Sequence, residues 1–165
     1  PEDRKRYGLV LMQDIKFNTG LASFSDLTTM GLINDNELIE LTNKQINELN
    51  VVTPSIEQLM RNLSGGNQQK CVLAKWLIRN MRLLILDEPT RGIDVGSKVE
   101  IYNIMNKLVE EGLAIIMISS ELPEVIGISD RTMVMFDGKF VKEFSKEEVT
   151  QERIMYYATG GTDEK

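Results

Sequence analysis

Between Leu83 and Ile118 the sequence runs apolar block, amphipathic helix, apolar block, and few folds admit that order. Leu83-Leu84-Ile85-Leu86 shows no polar alternation, the pattern of a strand covered by helices on both faces. Ser97 and Glu100 form a capping box, Ile101, Met105 and Leu108 recur at helical spacing, and Gly112 supplies a stop. Leu113 to Ile118 reads as a second buried strand. Two strands joined by a helix must lie parallel in one sheet. The expected class is therefore α/β, with a mostly parallel sheet flanked by helices.

The first of these strands ends in two adjacent carboxylates, Asp87 and Glu88, followed by Pro89-Thr90. Acidic groups at that point lie at the carboxyl edge of the sheet, where open α/β folds place ligands. Two neighbouring carboxylates repel one another unless a cation or a proton offsets them. Magnesium on a nucleotide does this, because it takes oxygen ligands, keeps waters and is commonly held by one or two carboxylates plus phosphates. Asp87 would hold the ion directly or through water, and Glu88 would orient or deprotonate an attacking water.

About twenty residues upstream stands Leu63-Ser64-Gly65-Gly66-Asn67-Gln68-Gln69-Lys70, running into the apolar stretch Cys71 to Ile78. A serine and two glycines opening a helix point several backbone N–H groups one way, toward an anion favoured by the helix dipole. A lone Ser-Gly-Gly is usually an ordinary helix start. Its pairing with the acidic strand end makes it a candidate phosphate contact. Val72 with Trp76, Leu73 with Leu77 and Ala74 with Ile78 are i,i+4 pairs, so a helix over 67–80 buried on most sides is expected.

Composition excludes several alternatives. The 165 residues contain no histidine, which removes Ser-His-Asp catalysis, His-ligated zinc and imidazole acid–base chemistry. A formal net charge of −6 and a pI of about 4.8 argue against a general nucleic-acid surface. The single cysteine, Cys71, rules out a disulfide framework within the chain and suits a reducing compartment. No apolar run reaches the ~18 residues of a membrane span, so any membrane role is expected to go through a partner.

Elsewhere the pattern is mostly helical and then turns to strands. Residues 14–62 read as a small helical subdomain, with Asn34 and Glu37 capping a helix that runs to about Leu49, closed by Asn50. Thr53-Pro54 breaks the chain, and Ser55 caps a short turn through Leu59 and Met60. Pro123 suits the first turn of a short helix through Ile126. Asp137-Gly138 between Arg131–Phe136 and Lys139–Phe144 signals a two-residue hairpin. A helix over Glu147–Ala158 and a frayed tail from Gly160 complete the reading.

Leu63 to Lys70, Leu84 to Asp94 and Ser119 to Asp130 resemble the second nucleotide-binding half of a sugar-uptake ABC importer of the ribose, galactose and xylose type. Asn67-Gln68-Gln69, Glu88 to Gly96 and Ser119 to Glu124 carry the resemblance most specifically, and it covers nearly the whole chain from Pro1 to about Ala158. It implies a partial P-loop-type ABC ATPase core with a helical subdomain and a C-terminal β-hairpin. The single fragment then divides into a helical subdomain at about 14–62, a core at 63–145 and a C-terminal helix and tail at 146–165. It further implies that ATP with Mg2+ is sandwiched between a Walker A loop on one half and a signature loop on the other. Here the signature residues would be Ser64, Gly65, Gly66 and Gln68, the Walker B residues Asp87 and Glu88, and Asp94 would sit in a dimer-contact loop. The implied partners are the other nucleotide-binding half of the same polypeptide, transmembrane permease subunits docked on the helical subdomain and, indirectly, a sugar-binding protein, with no nucleic acid. The implied location is the cytoplasmic face of a bacterial membrane, as a peripheral subunit.

Three departures from the family pattern shape the functional expectation. No G-x-x-x-x-G-K-[ST] occurs, because Gly138-Lys139 is followed by Phe140, so the chain reads as a half truncated before its Walker A loop and inactive alone. Ser120 occupies the position of the switch histidine and cannot supply a titrating imidazole. The glutamine that touches magnesium and water in the family falls at Glu2. These departures predict asymmetry: the signature loop completes a competent site on the other half, while the site holding Asp87, Glu88 and Ser120 is slow. Two alternatives stand beside the importer: a non-transport ABC ATPase, and a degenerate regulatory half that lends only its signature loop.

Overall fold

The computed structural model describes residues 3–79 and 81–162. The chain divides into two compact units, Pro1–Ile116 and Met117–Lys165.

The first unit is built around one helix. α1 (Ile15–Gly20) starts at Asp14, whose carboxylate accepts the Phe17 N–H at 2.7 Å. Thr28–Thr29 and Leu32–Ile33 pair as a minimal antiparallel hairpin, β1 and β2, turned by Met30 and Gly31 at φ 52° and 82°. Strands of two residues carry no alternation to read, so this hairpin was absent from the expected helical subdomain. α2 (Asp35–Glu48) follows the capping-box expectation: Asn34 accepts the Glu37 N–H and donates to the Glu37 carboxylate at 3.0 Å. Asn50 closes it in the left-handed region at φ 50°. Ser55 accepts the Glu57 N–H at 3.3 Å as expected of a local turn, but the helical residues beyond it are a 3₁₀ turn at Met60–Asn62.

α3 (Gly65–Leu77) lies against α1, α2 and the later helix α4 (Val95–Glu110). It begins two residues before the expected start and ends before Asn80, because Ser64 itself is the cap. Its buried lysines reach out to tie neighbours to it. Lys75 donates to the Gly8 carbonyl at 2.6 Å, and Lys70 donates to the Asn50 carbonyl at 2.7 Å and pairs with Glu100 at 2.8 Å. Burial holds the Lys75 ammonium below its ordinary range.

β3 (Leu83–Asp87) and β4 (Ala114–Ile118) are neighbours in a two-stranded sheet, with α4 as the crossover. The strand–helix–strand order is the expected one. The expected burial on both faces is corrected: Leu84 and Leu86 are buried while Leu83 and Ile85 are about half exposed, and β4 alternates between exposed and half-buried residues with none fully buried. Leu83 and Ile85 stay part-exposed because they line an open groove instead of a packed layer. The cap of α4 also differs from expectation. Asp94 holds the first turn, accepting the Ser97 N–H at 2.9 Å and the Ser97 hydroxyl at 2.7 Å, so Ser97 lies inside the helix.

The second unit contains α5 (Leu122–Ile128), β5 (Arg131–Phe136), β6 (Lys139–Ser145) and α6 (Gln151–Ala158). Asp137 and Gly138, at φ 47° and 72°, turn the antiparallel β5–β6 hairpin as anticipated. Its core gathers Val134, Phe144, Val149, Ile154 and Tyr157, with Phe144 and Tyr157 edge to face at 5.7 Å. α6 starts at Gln151, not Glu147, because the Thr150 hydroxyl accepts the Arg153 N–H.

Candidate functional site

The N-terminal end of α3 is open. Ser64 is exposed and Gly65 half-buried, and no helical residue precedes them to accept from the Gly65 and Gly66 amides. Neither amide has an acceptor among the described residues. The Ser64 hydroxyl accepts weakly from Asn67, at 3.4 Å from its backbone and 3.1 Å from its side chain. Asn67 in turn accepts the Val52 N–H at 2.9 Å. Two amides without acceptors, an exposed hydroxyl and the positive end of a 13-residue helix stand together at this terminus, with Gly66 itself buried against Ser97, a combination that suits an anion in front of Ser64 and Gly65.

The glycines serve protein contacts as well. A Cβ on Gly66 would lie 2.6 Å from Ser97 Cβ, closer than real Cβ atoms come. On Gly65 it would meet Arg4 Nη2 at 2.8 Å and the Gly92 carbonyl at 3.4 Å. The loop after β3 therefore packs directly on the α3 terminus, a juxtaposition that spacing along the chain could not show. Gln68 points inward: its Nε2 donates to the Met60 and Leu63 carbonyls at 3.2 and 3.3 Å, fixing the turn that delivers Ser64. The side chain named as a nucleotide contact is 4% exposed, so it acts on the loop from within.

Asp87 is the last residue of β3 and half-buried, at the carboxyl edge of the strand as expected. Glu88 follows at φ 48°, in the left-handed region that a glutamate rarely adopts. Such a conformation costs about 1–3 kcal/mol and persists where the surroundings over-determine it, which is common at binding sites. The next two residues, Pro89 and Thr90, are buried. Gly92, at φ 68°, then turns the chain into the Asp94 cap. Hydrogen bonds from the Ser97 backbone and hydroxyl hold the Asp94 carboxyl below its ordinary range.

Arg4 escaped the sequence reading, because a charged opening run looks solvated. Its side chain is buried, and its guanidinium donates to the carbonyls of Arg91 at 2.7 Å and Gly92 at 3.0 Å. Beside this end of the unit, a groove of about 230 Å³ runs between α3 and β3, lined by Val72, Trp76, Leu83 and Ile85, with Asp87 on its wall. Among the described residues no group of three or more His, Cys, Asp or Glu could hold a metal alone.

The segment proposed for the switch position lies in the second unit. Ser119 donates to the buried Glu124 carboxylate at 2.6 Å and accepts the Glu121 N–H at 3.0 Å, which braces the turn between β4 and α5. Ser120 sits in that turn. Glu2, the remaining nominated position, lies outside the described residues.

The sequence pattern of the family described as "ABC transporter" matches residues 2–91. The chain is 56% identical over 160 residues to the xylose import ATP-binding protein XylG of Thermoanaerobacter pseudethanolicus, covering 97% of this chain and 32% of that protein. To the ribose import ATP-binding protein RbsA of Oceanobacillus iheyensis it is 52% identical, with the same coverage of 97% and 32%. The chain thus spans about a third of the length of the curated relatives it matches. Among solved structures, the ATP-binding cassette MJ1267 superposes with a TM-score of 0.72 at 21% identity, covering 97% of this chain and 68% of that one. The cassette MJ0796, in a dimer bound to ADP and Pi, gives 0.71 at 19% identity, covering 86% and 60%. A helix end open to an anion, an acidic strand end, the cassette fold and this identity agree: the chain belongs to the ABC transporter family.

Proposed function

We propose that the chain is part of the ATP-binding subunit of a sugar importer and supplies two parts of its nucleotide sites. The observation that carries the reading is the open α3 terminus, where Ser64, Gly65 and Gly66 offer a hydroxyl and two amides to a terminal phosphate. The names of the relatives, xylose and ribose import ATP-binding proteins, support sugar uptake as the process. The phosphate gripped by this terminus belongs to ATP held by the other nucleotide-binding half, so the signature loop acts in trans. Transmembrane permease subunits dock on the helical part of the first unit, and a sugar-binding protein delivers to them. No helix among the described residues is long and apolar enough to cross a membrane. The import function in the relatives' names supports a peripheral place for the subunit, at the cytoplasmic face beside its permease.

The acidic strand end fits Mg2+ held jointly with phosphate. Two adjacent carboxylates stand there, and among the described residues no larger His, Cys, Asp or Glu cluster could cage the ion without phosphate oxygens. Asp87 would hold the ion, directly or through water, and the ion would neutralise charge on the phosphates. Glu88 orients or deprotonates the attacking water. Ser120 has no imidazole to offer, so hydrolysis at this chain's own acidic end is slow, and the competent site is the one its signature loop completes.

Steady-state ATP turnover of the full-length polypeptide tests the reading. Ser64→Arg fills the open terminus with a bulky cation and abolishes turnover, while Glu88→Gln leaves it nearly unchanged. The opposite ranking refutes the asymmetry, and full activity in both variants refutes the role of the α3 terminus.

A further inference from the structure

We infer that Arg4 is a positioning residue that ties the α3 terminus to the loop carrying Asp94, so that the two move as one. The inference rests on the nucleotide-site reading above. Its geometry is independent of that reading.

Both ends of Arg4 are fixed. Its backbone opens a single π-helical turn, Arg4–Gly8, capped by Asp3, which accepts the N–H groups of Lys5 and Arg6 at 3.0 and 3.1 Å. The far end of that turn is fastened to α3 through the Lys75–Gly8 bond of 2.6 Å. Its head forks over two successive carbonyls, Arg91 and Gly92, at 2.7 and 3.0 Å. The same Nη2 stands 2.8 Å from where a Gly65 Cβ would lie, and Ile93 Cγ2 stands 3.5 Å from it. The guanidinium is thus wedged between the first residue of α3 and the loop that ends in the Asp94 cap.

Stability alone does not account for this arrangement. Arg4 Nε is buried without a hydrogen-bond partner, and burial lowers the pKa of the guanidinium. An unpaired buried donor on a charged group is costly, and an apolar side chain of similar length is often as stable or more so. A methionine cannot donate to either carbonyl. A lysine ammonium can donate to both, but only from one rotatable nitrogen, whereas the planar fork supplies a separate nitrogen to each carbonyl and fixes both relative to Gly65.

Amide hydrogen exchange on the 165-residue chain, comparing wild type with Arg4→Met and Arg4→Lys, tests the clamp. Its reporters are the Asn67 and Gln68 amides, bonded to Ser64, and the Arg91 and Ile93 amides, bonded to Glu88 and Thr90. Arg4→Met should speed exchange at least tenfold in both groups together and Arg4→Lys less, leaving Leu73 and Ile101 unchanged, because methionine loses both charge-assisted bonds at this local opening and lysine only their fixed geometry. Acceleration of the loop pair alone would overturn the coupling, and uniform acceleration or none would overturn the clamp. A second arm measures ATP turnover in the full-length polypeptide. Arg4→Lys should raise half-saturating MgATP about tenfold with saturated turnover within about twofold, because a looser terminus weakens binding before chemistry. An unchanged half-saturation value overturns the positioning role even if exchange responds. A wild type without ATP turnover sinks the nucleotide reading instead, and the exchange arm still decides the clamp.

Discussion

Replacing Gly66 with alanine should destabilise the chain, although helix propensity predicts the reverse. Alanine in place of glycine within a helix ordinarily gains about 1 kcal/mol, part of it by restricting the unfolded chain. At Gly66 the added methyl would lie 2.6 Å from Ser97 Cβ, with the Ser97 hydroxyl nearer still. Ser97 cannot turn away freely, because its hydroxyl donates to Asp94 at 2.7 Å and its backbone to the same carboxylate at 2.9 Å. Forcing a methylene into such a contact costs about 1–3 kcal/mol. Adding back the propensity gain leaves a net loss of about 0–2 kcal/mol. A double-mutant cycle sharpens the range. In a Ser97→Gly background the nearest remaining atom is Ser97 Cα at 3.8 Å, an ordinary contact, so Gly66→Ala should there stabilise by about 1 kcal/mol. Urea denaturation followed by the fluorescence of the only tryptophan, Trp76 on the same helix, reads all four states. If Gly66→Ala stabilises equally with and without the Ser97 side chain, the two residues do not meet, and the packing of the α3 terminus on α4 is refuted.

Three further outcomes follow from the sequence and the geometry. Lacking the phosphate-loop pattern, the chain alone should bind MgATP with a Kd weaker than about 10 μM, and calorimetry showing tighter binding contradicts the sandwich arrangement. Hydrogen bonds from Ser97 hold the folded pKa of Asp94 below its unfolded value. Its contribution to stability is therefore complete above the unfolded pKa of about 3.9 and lost as pH falls through the folded value. Asp94→Asn should flatten that part of an acid-denaturation curve, and an unchanged curve rejects the cap. Cys71 is fully buried with its thiol pushed up to about 12, so a thiol reagent at pH 8 should label it only through unfolding. Labelling should accelerate in step with denaturant, and rapid labelling of the native chain would show that α3 is not packed as described.

Local chemistry and periodicity determined much of the molecule. Asn34 with Glu37, Asp137-Gly138, and the block–helix–block run from Leu83 to Ile118 each specify an element through near neighbours, and each stands in the structure. Asp87 at the edge of its strand and Ser64 opening its helix were legible for the same reason. Exposure of Leu83 and Ile85 was not, since an apolar run states a preference for burial and cannot say whether a covering layer is present. Nor could the sequence tell Ser97 from Asp94 as the cap of α4, because both residue types cap well and the choice depends on where the preceding loop is held. The approach of Arg4, Gly65 and Gly92 was wholly a tertiary outcome. Contacts between residues this far apart in sequence leave no periodic trace, and a buried arginine in a charged run is written in the same letters as a solvated one.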